Sequence, residues 1–506
     1  MPAPRIGAAS WALLAVATAV NVAALPREQY IGDPVAIRAE TVNLLRTGRF
    51  GVPAEIATRM GRRGQYFYEN RDQGRWSSKY GPLNTLMYVP PLLAERVVTG
   101  SLPWLSPRRL AFLNAFNLVL ALASAAYLLA LVSLYTGDTA LRWTYVLAAL
   151  FATFWWNYLR AQSAEIYQTL FFLAFFFHLV RHLRGWVLPP DGEAAHRFPR
   201  HLLAASAGLA ALCAVKLSFL VLIPAAAIVL LAAEREAVLK DPVRAAAEAD
   251  ARMRRNVVAF ALPIVITLAL LGAVNAYKFG SPLLTGYEQL AEERDVLGGS
   301  LWTGLHGFAV TARGSVFLHF PLLVLALAGY PSLFRKRPLE TVAMAVFTLA
   351  LLVLNSRFRN WQGDAAYGPR YMLPVLAVAS LPALEALGWI RARLRTGRGL
   401  AAATLVALVL LVSVRLQLYV NALPFFAFQM TRNEIVSRLD EADSAPFLDR
   451  PVGAVNRDLI AYWTRGKPLA VLETARARLD PAEVEAMRTG IDAVRRSNSL
   501  WFDGGL

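Results

Sequence analysis

Three runs of this chain, residues 111 to 135, 257 to 277 and 399 to 420, each reach the roughly 20 apolar residues that a helix needs to cross a hydrocarbon core about 30 Å thick. In that medium no water satisfies a backbone N–H or C=O, so a run of this kind must be helical. Of the 506 residues 56% are hydrophobic, mean hydropathy is +0.42, and charge is confined to the stretches between apolar runs. A water-soluble domain of this size could not hide so much apolar surface. Reading every apolar run against its charged breaks predicts about eleven spans: 8 to 25, 110 to 135, 142 to 159, 165 to 182, 202 to 215, 218 to 233, 257 to 277, 315 to 331, 339 to 356, 371 to 390 and 399 to 420. The first reads as a retained span and not a cleaved signal, because no small-residue cleavage site precedes Pro26.

The expected fold is therefore an all-α polytopic membrane protein. A transmembrane domain covers 1–420, including an outer loop at 26–109, and a small α/β domain at 421–506 follows it. The connections at 181 to 201, 234 to 256, 335 to 338 and 391 to 398 are dense in Arg and Lys, and all fall on one side of an eleven-span chain. By the positive-inside rule that side is cytoplasmic, which places the N-terminus inside a cytoplasmic membrane and the C-terminus outside. The net charge of +17 and pI near 10.2 are spread over these loops and not gathered on one soluble face. Nucleic acid is thereby excluded as a partner, while anionic lipid headgroups and a phosphorylated lipid explain the excess. Cys213, the single cysteine, lies inside an apolar run and reads as a packing residue.

In the outer loop, "DPVAIRAETVNLLRTGRF" has helical spacing with charges interspersed, which suggests a helix along the membrane surface. "GPLNTLMYVPPLLAERVVTG" is apolar but interrupted by Pro90 and Pro91, and is expected to dip into the interface as a broken segment. Spans five and six are each about 15 residues long, which suggests a tight hairpin with Lys216 at its outer tip. In the tail, "PVGAVNRDLIAYWTRGKPLAVLETA" reads as strand, helix, strand, followed by a helix in "DPAEVEAMRTGIDAVRR".

Several outer residues can carry chemistry. Asp33, just after the first span, is a carboxylate placed to take a proton from a hydroxyl, although Asp before Pro34 is also a good helix cap. Glu40, two turns further, reads as a solvated helix residue. Lys79, beside Tyr80 and a Gly-Pro turn, could hold an anionic headgroup or simply attract lipid. Lys216 is a charge at a helix break inside apolar sequence, costing roughly 2.5 to 3.5 kcal/mol at a bilayer centre unless it snorkels, and so points to function. The loop "YLRAQSAEIYQTL" offers Arg160 and Glu165, the latter equally suited to a helix N-terminus or to positioning a substrate or a metal. "NSRFRNWQGDAAYGPRYMLP" concentrates Arg357, Arg359, Asp364, Arg370 and Tyr371 among aromatics, a mixture suited to a phosphate with an attached sugar or isoprenoid chain and also to an aromatic belt. The six histidines lack metal-ligand spacing; His178 and His182, one turn apart near the cytoplasmic end of span four, read as packing residues. No Walker loop or dinucleotide fingerprint is present, so no cofactor is assigned, and a divalent metal is possible but not indicated.

In chain order, Asp33, a helix ending "RTGRFG", "KYGPL", Glu165, Lys216, "NAYKFGSPLLTGY", "ARGSVFLHFP" and "YGPRYMLP" together resemble the GT-C superfamily of polyprenyl-phosphate-sugar transferases, which includes protein O-mannosyltransferases and lipid A aminoarabinose transferases. The resemblance runs along most of the membrane portion. It implies an inverting glycosyltransferase with Asp33 as general base, Glu165 arranging the site, and Lys79, Lys216 and Arg370 on the donor phosphate, with Tyr80, Arg160, Arg313 and Tyr371 in the substrate-binding set. Its implied partners are a polyprenyl-phosphate-linked sugar, a lipid, glycan or protein acceptor, and the bilayer. Two departures stand out: Gly81 occupies a place where the family often has Pro, and "GDP" replaces an Asp-Glu pair. A transporter or flippase of lipid-linked saccharides would also need many spans and an intramembrane cation, but its charges would line a path through the midplane. An oligosaccharide polymerase or ligase would share substrate and face.

Overall fold

The computed structural model describes residues 7–25, 33–59, 66–70, 74–104, 111–160, 162–187, 199–240, 242–287, 296–311, 314–363, 367–422, 435–436, 438–439 and 470–497. Helix α1 (Ala8–Ala23) leads to an excursion formed by α2 (Asp33–Thr47), α3 (Ala54–Arg59), strands β1 (Phe67–Asn70) and β2 (Arg75–Ser78), and α4 (Pro82–Thr99). Next come α5 (Ala111–Ser133), α6 (Thr139–Phe151), α7 (Trp155–Arg160), α8 (Ala164–Val187), α9 (Arg200–Val215), α10 (Leu222–Lys240) and α11 (Pro242–Phe279). The series continues with α12 (Leu301–Val310), α13 (Val316–His319), α14 (Leu322–Lys336), α15 (Pro338–Ser356), α16 (Leu373–Ala379), α17 (Ala383–Ala392), α18 (Gly397–Ala422), α19 (Ala470–Arg478) and α20 (Pro481–Ser497).

Helix α8 is the packing axis, in contact with α5, α9, α10 and α16. Its Phe172, Phe175 and Phe176 surround Phe347 of α15 with ring centroids 6.3, 5.2 and 6.2 Å away, in edge-on and tilted arrangements that suit the aromatic quadrupole. Gly208 lets α9 press onto α8, since a Cβ there would lie 3.1 Å from the Phe175 amide nitrogen. Close backbone approach through small residues is how helices associate when lipid offers no hydrophobic drive. At the periphery, α11 and α18 bury only 17% and 11% of their apolar windows. Leu270 and Val412 accordingly stand 61% and 68% exposed, a surface that a bilayer covers.

The eleven-span expectation is only partly met. Among the described residues six helices are long and apolar enough to cross, or seven with the bent pair Arg370–Ala379 and Ala383–Ala392, which meet at 47°. Helices α1, α6 and α9 are apolar but shorter. The expected span 142 to 159 is divided at 152–154 between α6 and α7. The pair α9 and α10 is not a closed hairpin: α9 packs on α8 and α11, whereas α10 packs on α8 and α15, so the two part at Lys216. Ion pairs link the basic stretches near Arg184 and Lys336 to their neighbours, Arg184 with Glu340 at 2.7 Å and Lys336 with Glu385 at 2.6 Å. His178 is stacked on His201 with Nδ1 atoms 3.1 Å apart, a partner 23 residues distant that sequence spacing did not suggest.

In the excursion, α2 and α4 pack together over their own core, including Ile37, Val42, Tyr88 and Leu92. Helix α2 is not a surface helix: Pro34 and every residue from Ala36 to Asn43 are buried. Its Arg38 is fully buried with Glu95 of α4, donating at 3.0 and 3.1 Å to the two carboxylate oxygens. Nor do Pro90 and Pro91 break α4, which runs unbroken from Pro82 to Thr99. They remove donors only toward the Leu86 and Met87 carbonyls, while Asn84, Thr85, Tyr88, Pro91, Leu92 and Glu95 form a continuous buried face. The all-α reading also missed a hairpin: β1 and β2 pair antiparallel with Phe67 opposite Ser78 and Asn70 opposite Arg75. In the tail, the expected second strand is overturned at "AVLETA", residues 470–475, which start α19 as their Leu, Glu and Ala residues favour, while 467–469 lie outside the described residues. The expected helix after it is α20, and the rest of the tail lies outside the described residues.

Candidate active site

Lys216 marks where the site is built. Helix α9 ends at Val215, Lys216 takes an extended conformation (φ −153°, ψ 122°), and a short 3-10 turn over Leu217–Val221 starts the next helix. The side chain is thus delivered between two helix ends, with its ammonium 4.0 Å from the Tyr371 ring centroid and 5.6 Å from that of Phe358. Burial pushes this ammonium down to about 8, with Arg370 and Lys79 adding to the shift and Glu165 and Asp33 opposing it. One cation therefore feels four charged groups brought from four other stretches of the chain.

Against the end of α9 rests the "KYGPL" turn. A Cβ at Gly81 would sit 2.8 Å from the Val215 carbonyl oxygen and nearer still to that of Ala214. That contact accounts for glycine at this position, since any other residue carries a Cβ. Asn84 completes the junction, donating to the Val215 carbonyl at 2.9 Å and accepting from the Tyr167 hydroxyl of α8 at 2.6 Å. The turn in its turn places Lys79 and Tyr80. Lys79 stands 5.0 Å from the Tyr287 ring, and Gly286 passes so close that a Cβ there would be 2.5 Å from the Lys79 Cα.

Tyr80 donates its hydroxyl to Asp33 Oδ1 in a short hydrogen bond. Burial first, and the Asp33 charge second, push the phenol well above its ordinary range, so it stays protonated and Asp33 remains the acceptor. Asp33 is the first residue of α2, where the helix dipole favours a carboxylate. Glu165, in the first turn of α8, lies 3.9 Å from the Arg370 guanidinium. Arg370 also lies against Tyr371, 4.9 Å from its ring and 3.3 Å from its hydroxyl oxygen. Gly363, in the left-handed region at φ +78°, makes room for it, since a Cβ there would meet the Arg370 Nε at 2.8 Å.

Asp33, Lys79, Tyr80, Glu165, Lys216, Arg370 and Tyr371 therefore gather at one end of the bundle. Arg160 goes elsewhere: it is fully buried on α7 and donates to the Asn421 main-chain carbonyl at the end of α18. Arg313 and Asp364 lie outside the described residues. Glu40, expected in solvent, is fully buried beneath the turn and ion-paired at 3.1 Å with Lys278, a residue that sequence reasoning did not single out although "NAYKFGSPLLTGY" contains it. Among the described residues no group of three or more His, Cys, Asp or Glu is arranged to hold a metal.

No protein-family model matches the chain, and no curated protein matches it significantly. Its fold is similar to that of the archaeal oligosaccharyltransferase AglB from Archaeoglobus fulgidus, solved with an inhibitory peptide and a dolichol-phosphate, at a TM-score of 0.51 and 11% identity. That alignment covers 91% of this chain and 60% of AglB, so the chain spans well under two thirds of the archaeal enzyme's length. ArnT from Cupriavidus metallidurans bound to undecaprenyl phosphate aligns over 97% of this chain and 77% of its own, with 14% identity and a TM-score of 0.46. At such identities the likeness is one of fold alone.

Proposed function

We propose that this chain is an integral membrane glycosyltransferase that moves a sugar from a polyprenyl-phosphate donor to an acceptor hydroxyl at the outer face of a cytoplasmic membrane, with inversion at the anomeric carbon. The observation that carries this reading is the convergence on Lys216 of Arg370, Glu165, Asp33 and Lys79. Three cations beside aromatic rings suit a phosphate that links a sugar to an isoprenoid, and an acid held by a neutral phenol suits the acceptor. In the proposed reaction Asp33 takes the hydroxyl proton as the acceptor oxygen bonds to C1. The C1–O bond to phosphate breaks, and its electron pair leaves on the lipid phosphate. Lys79, Lys216 and Arg370 offset the charge that develops there, and Glu165 holds the Arg370 guanidinium. The grouping of these charges at one end of the bundle favours transfer at a face over passage across the bilayer. The acceptor, whether lipid, glycan or protein, is set by surfaces beyond these residues.

Asp33→Asn tests the assignment, because the Asn carbonyl oxygen can still accept from Tyr80 and Asn caps a helix as well as Asp does. The variant is expected to insert normally, bind undecaprenyl phosphate like the parent, and lose sugar transfer by a factor of about 100 or more. Transfer near the parent rate would remove Asp33 from the role of base.

A further inference from the structure

Beneath the turn that carries Lys79 and Tyr80 lies a buried polar junction that the reaction as proposed does not use. Glu40 is 0% exposed, and each of its oxygens accepts twice. Oε1 takes the Gly51 and Ser78 backbone N–H groups at 3.2 and 3.0 Å; Oε2 takes the Thr85 hydroxyl at 2.8 Å and the Lys278 ammonium at 3.1 Å. Four donors fill the acceptor capacity of a carboxylate. Lys278, 1% exposed at the end of α11, spends a second hydrogen bond on the Tyr80 carbonyl at 3.1 Å. Its ammonium lies 5.4 Å from the Phe279 ring and 5.8 Å from that of Phe50.

The consequence is geometric. The pair grips both ends of the tripeptide Ser78-Lys79-Tyr80, by the N–H of the first residue and the C=O of the last. The middle residue is the Lys79 cation, and the last places its hydroxyl on Asp33. Asp33 and Glu40 are seven residues apart on α2, two turns and so one face of the helix. The same helix that carries the acid therefore also carries the grip on the cation's turn. A buried ion pair is weak as a stabilising device, because desolvation offsets much of its attraction, whereas fixing one arrangement is a role well suited to it.

We propose that Glu40 and Lys278 are a positioning pair for the transfer site, holding the Lys79 cation in register with Asp33 through Tyr80. Neither touches substrate. The inference rests on the donor-phosphate reading for its effect on binding, while the grip itself can be read without any ligand.

The test uses the full chain in lipid nanodiscs, with Lys278→Met, the neutral double variant Glu40→Gln/Lys278→Met, and Lys278→Arg as the conservative control. Amide exchange at residues 76–82 is expected to speed up by about 100-fold in the first two variants while α8 and α9 keep parent protection. Undecaprenyl phosphate, compared with undecaprenol as the uncharged control, should bind the same variants about tenfold or more weakly, with Lys278→Arg recovering most of the loss. The double variant carries the test should Lys278→Met fail to fold, since it leaves no lone buried charge. Parent-like exchange at 76–82 in the double variant overturns the positioning pair. So does accelerated exchange accompanied by parent-like discrimination of phosphate from alcohol, because the grip would then have no bearing on the site. A parent protein that does not distinguish undecaprenyl phosphate from undecaprenol sinks the donor reading instead, and the exchange data still decide whether the pair holds the turn.

Discussion

Lys216 carries a charge that working pH can remove. Burial holds its pKa near 8, below the ordinary lysine value of 10.5, so the ammonium is intact under acidic and neutral conditions and is lost as pH rises through about 8. If the protonated form holds the donor phosphate, kcat/KM for transfer should fall on the alkaline side with a limb near that value, since this ratio reports the free enzyme. Lys216→Arg keeps its charge at every pH used and should shift the limb upward, whereas Lys216→Met should be low throughout. An unchanged alkaline limb in Lys216→Arg would assign it to another group. Gly81 invites a second test. Gly81→Ala drives a methyl into the Ala214 and Val215 carbonyls and is expected to cost about 1–3 kcal/mol, read as a lower melting temperature together with weaker undecaprenyl phosphate binding. The candidate residues stood out where charge interrupts apolar sequence: Glu165, Lys216 and Arg370 sit at the ends of expected spans, and Asp33 and Lys79 in the outer loop between the first two. Glu40 and Lys278 did not, because each is neutralised by a partner 238 residues away, and helical spacing carries no sign of that distance.

Elements were legible in proportion to how local their causes are. The apolar runs became helices as expected, since in lipid nothing else satisfies the backbone. Several misreadings fall in the excursion from α2 to α4, where tertiary partners decide. Arg38 makes α2 look solvent-facing until Glu95 neutralises it, and α4 survives two prolines because its buried face is continuous. Breaking the Arg38–Glu95 pair should therefore be costly in one direction only. Arg38→Met leaves an uncompensated buried carboxylate and is expected to cost about 3–5 kcal/mol, while Arg38→Met/Glu95→Leu should recover most of that. Apparent melting temperatures in nanodiscs compare the two. Equal losses in the single and double variants would mean that packing, and not the lone charge, sets the cost.

For the molecule as a whole, the Arg184–Glu340 and Lys336–Glu385 pairs, each with a residue of a basic connection, lie at the end opposite the candidate site. The proposed function puts that end in the cytoplasm, as the positive-inside rule expects of basic connections, and the site outside. A reporter fused after residue 506 should be active only when it is of the kind that works outside the membrane. Activity of a cytoplasm-only reporter there would invert the site's placement. The span count was the least legible property at this scale, because a break such as 152–154 or the bend between α16 and α17 divides an apolar run without leaving a charge to mark it.

The separation between Glu40 and Lys278 also sets an order of events during synthesis. Arg38 meets its partner 57 residues on, so α2 and α4 can close on each other soon after both have emerged. Glu40 waits for a residue 238 positions away, about 180 residues later, which at roughly 5–20 residues per second is on the order of ten to forty seconds. Over that interval the acid-bearing helix can hold its neighbouring turn only at Ser78 N–H and the Tyr80 hydroxyl, the Tyr80 carbonyl still lacks Lys278, and Arg370 has yet to be made. A ribosome stalled before α11 thus leaves Asp33 and Lys79 without the contact that Lys278 makes to the Tyr80 carbonyl, and the candidate site comes together only as the later helices join the bundle.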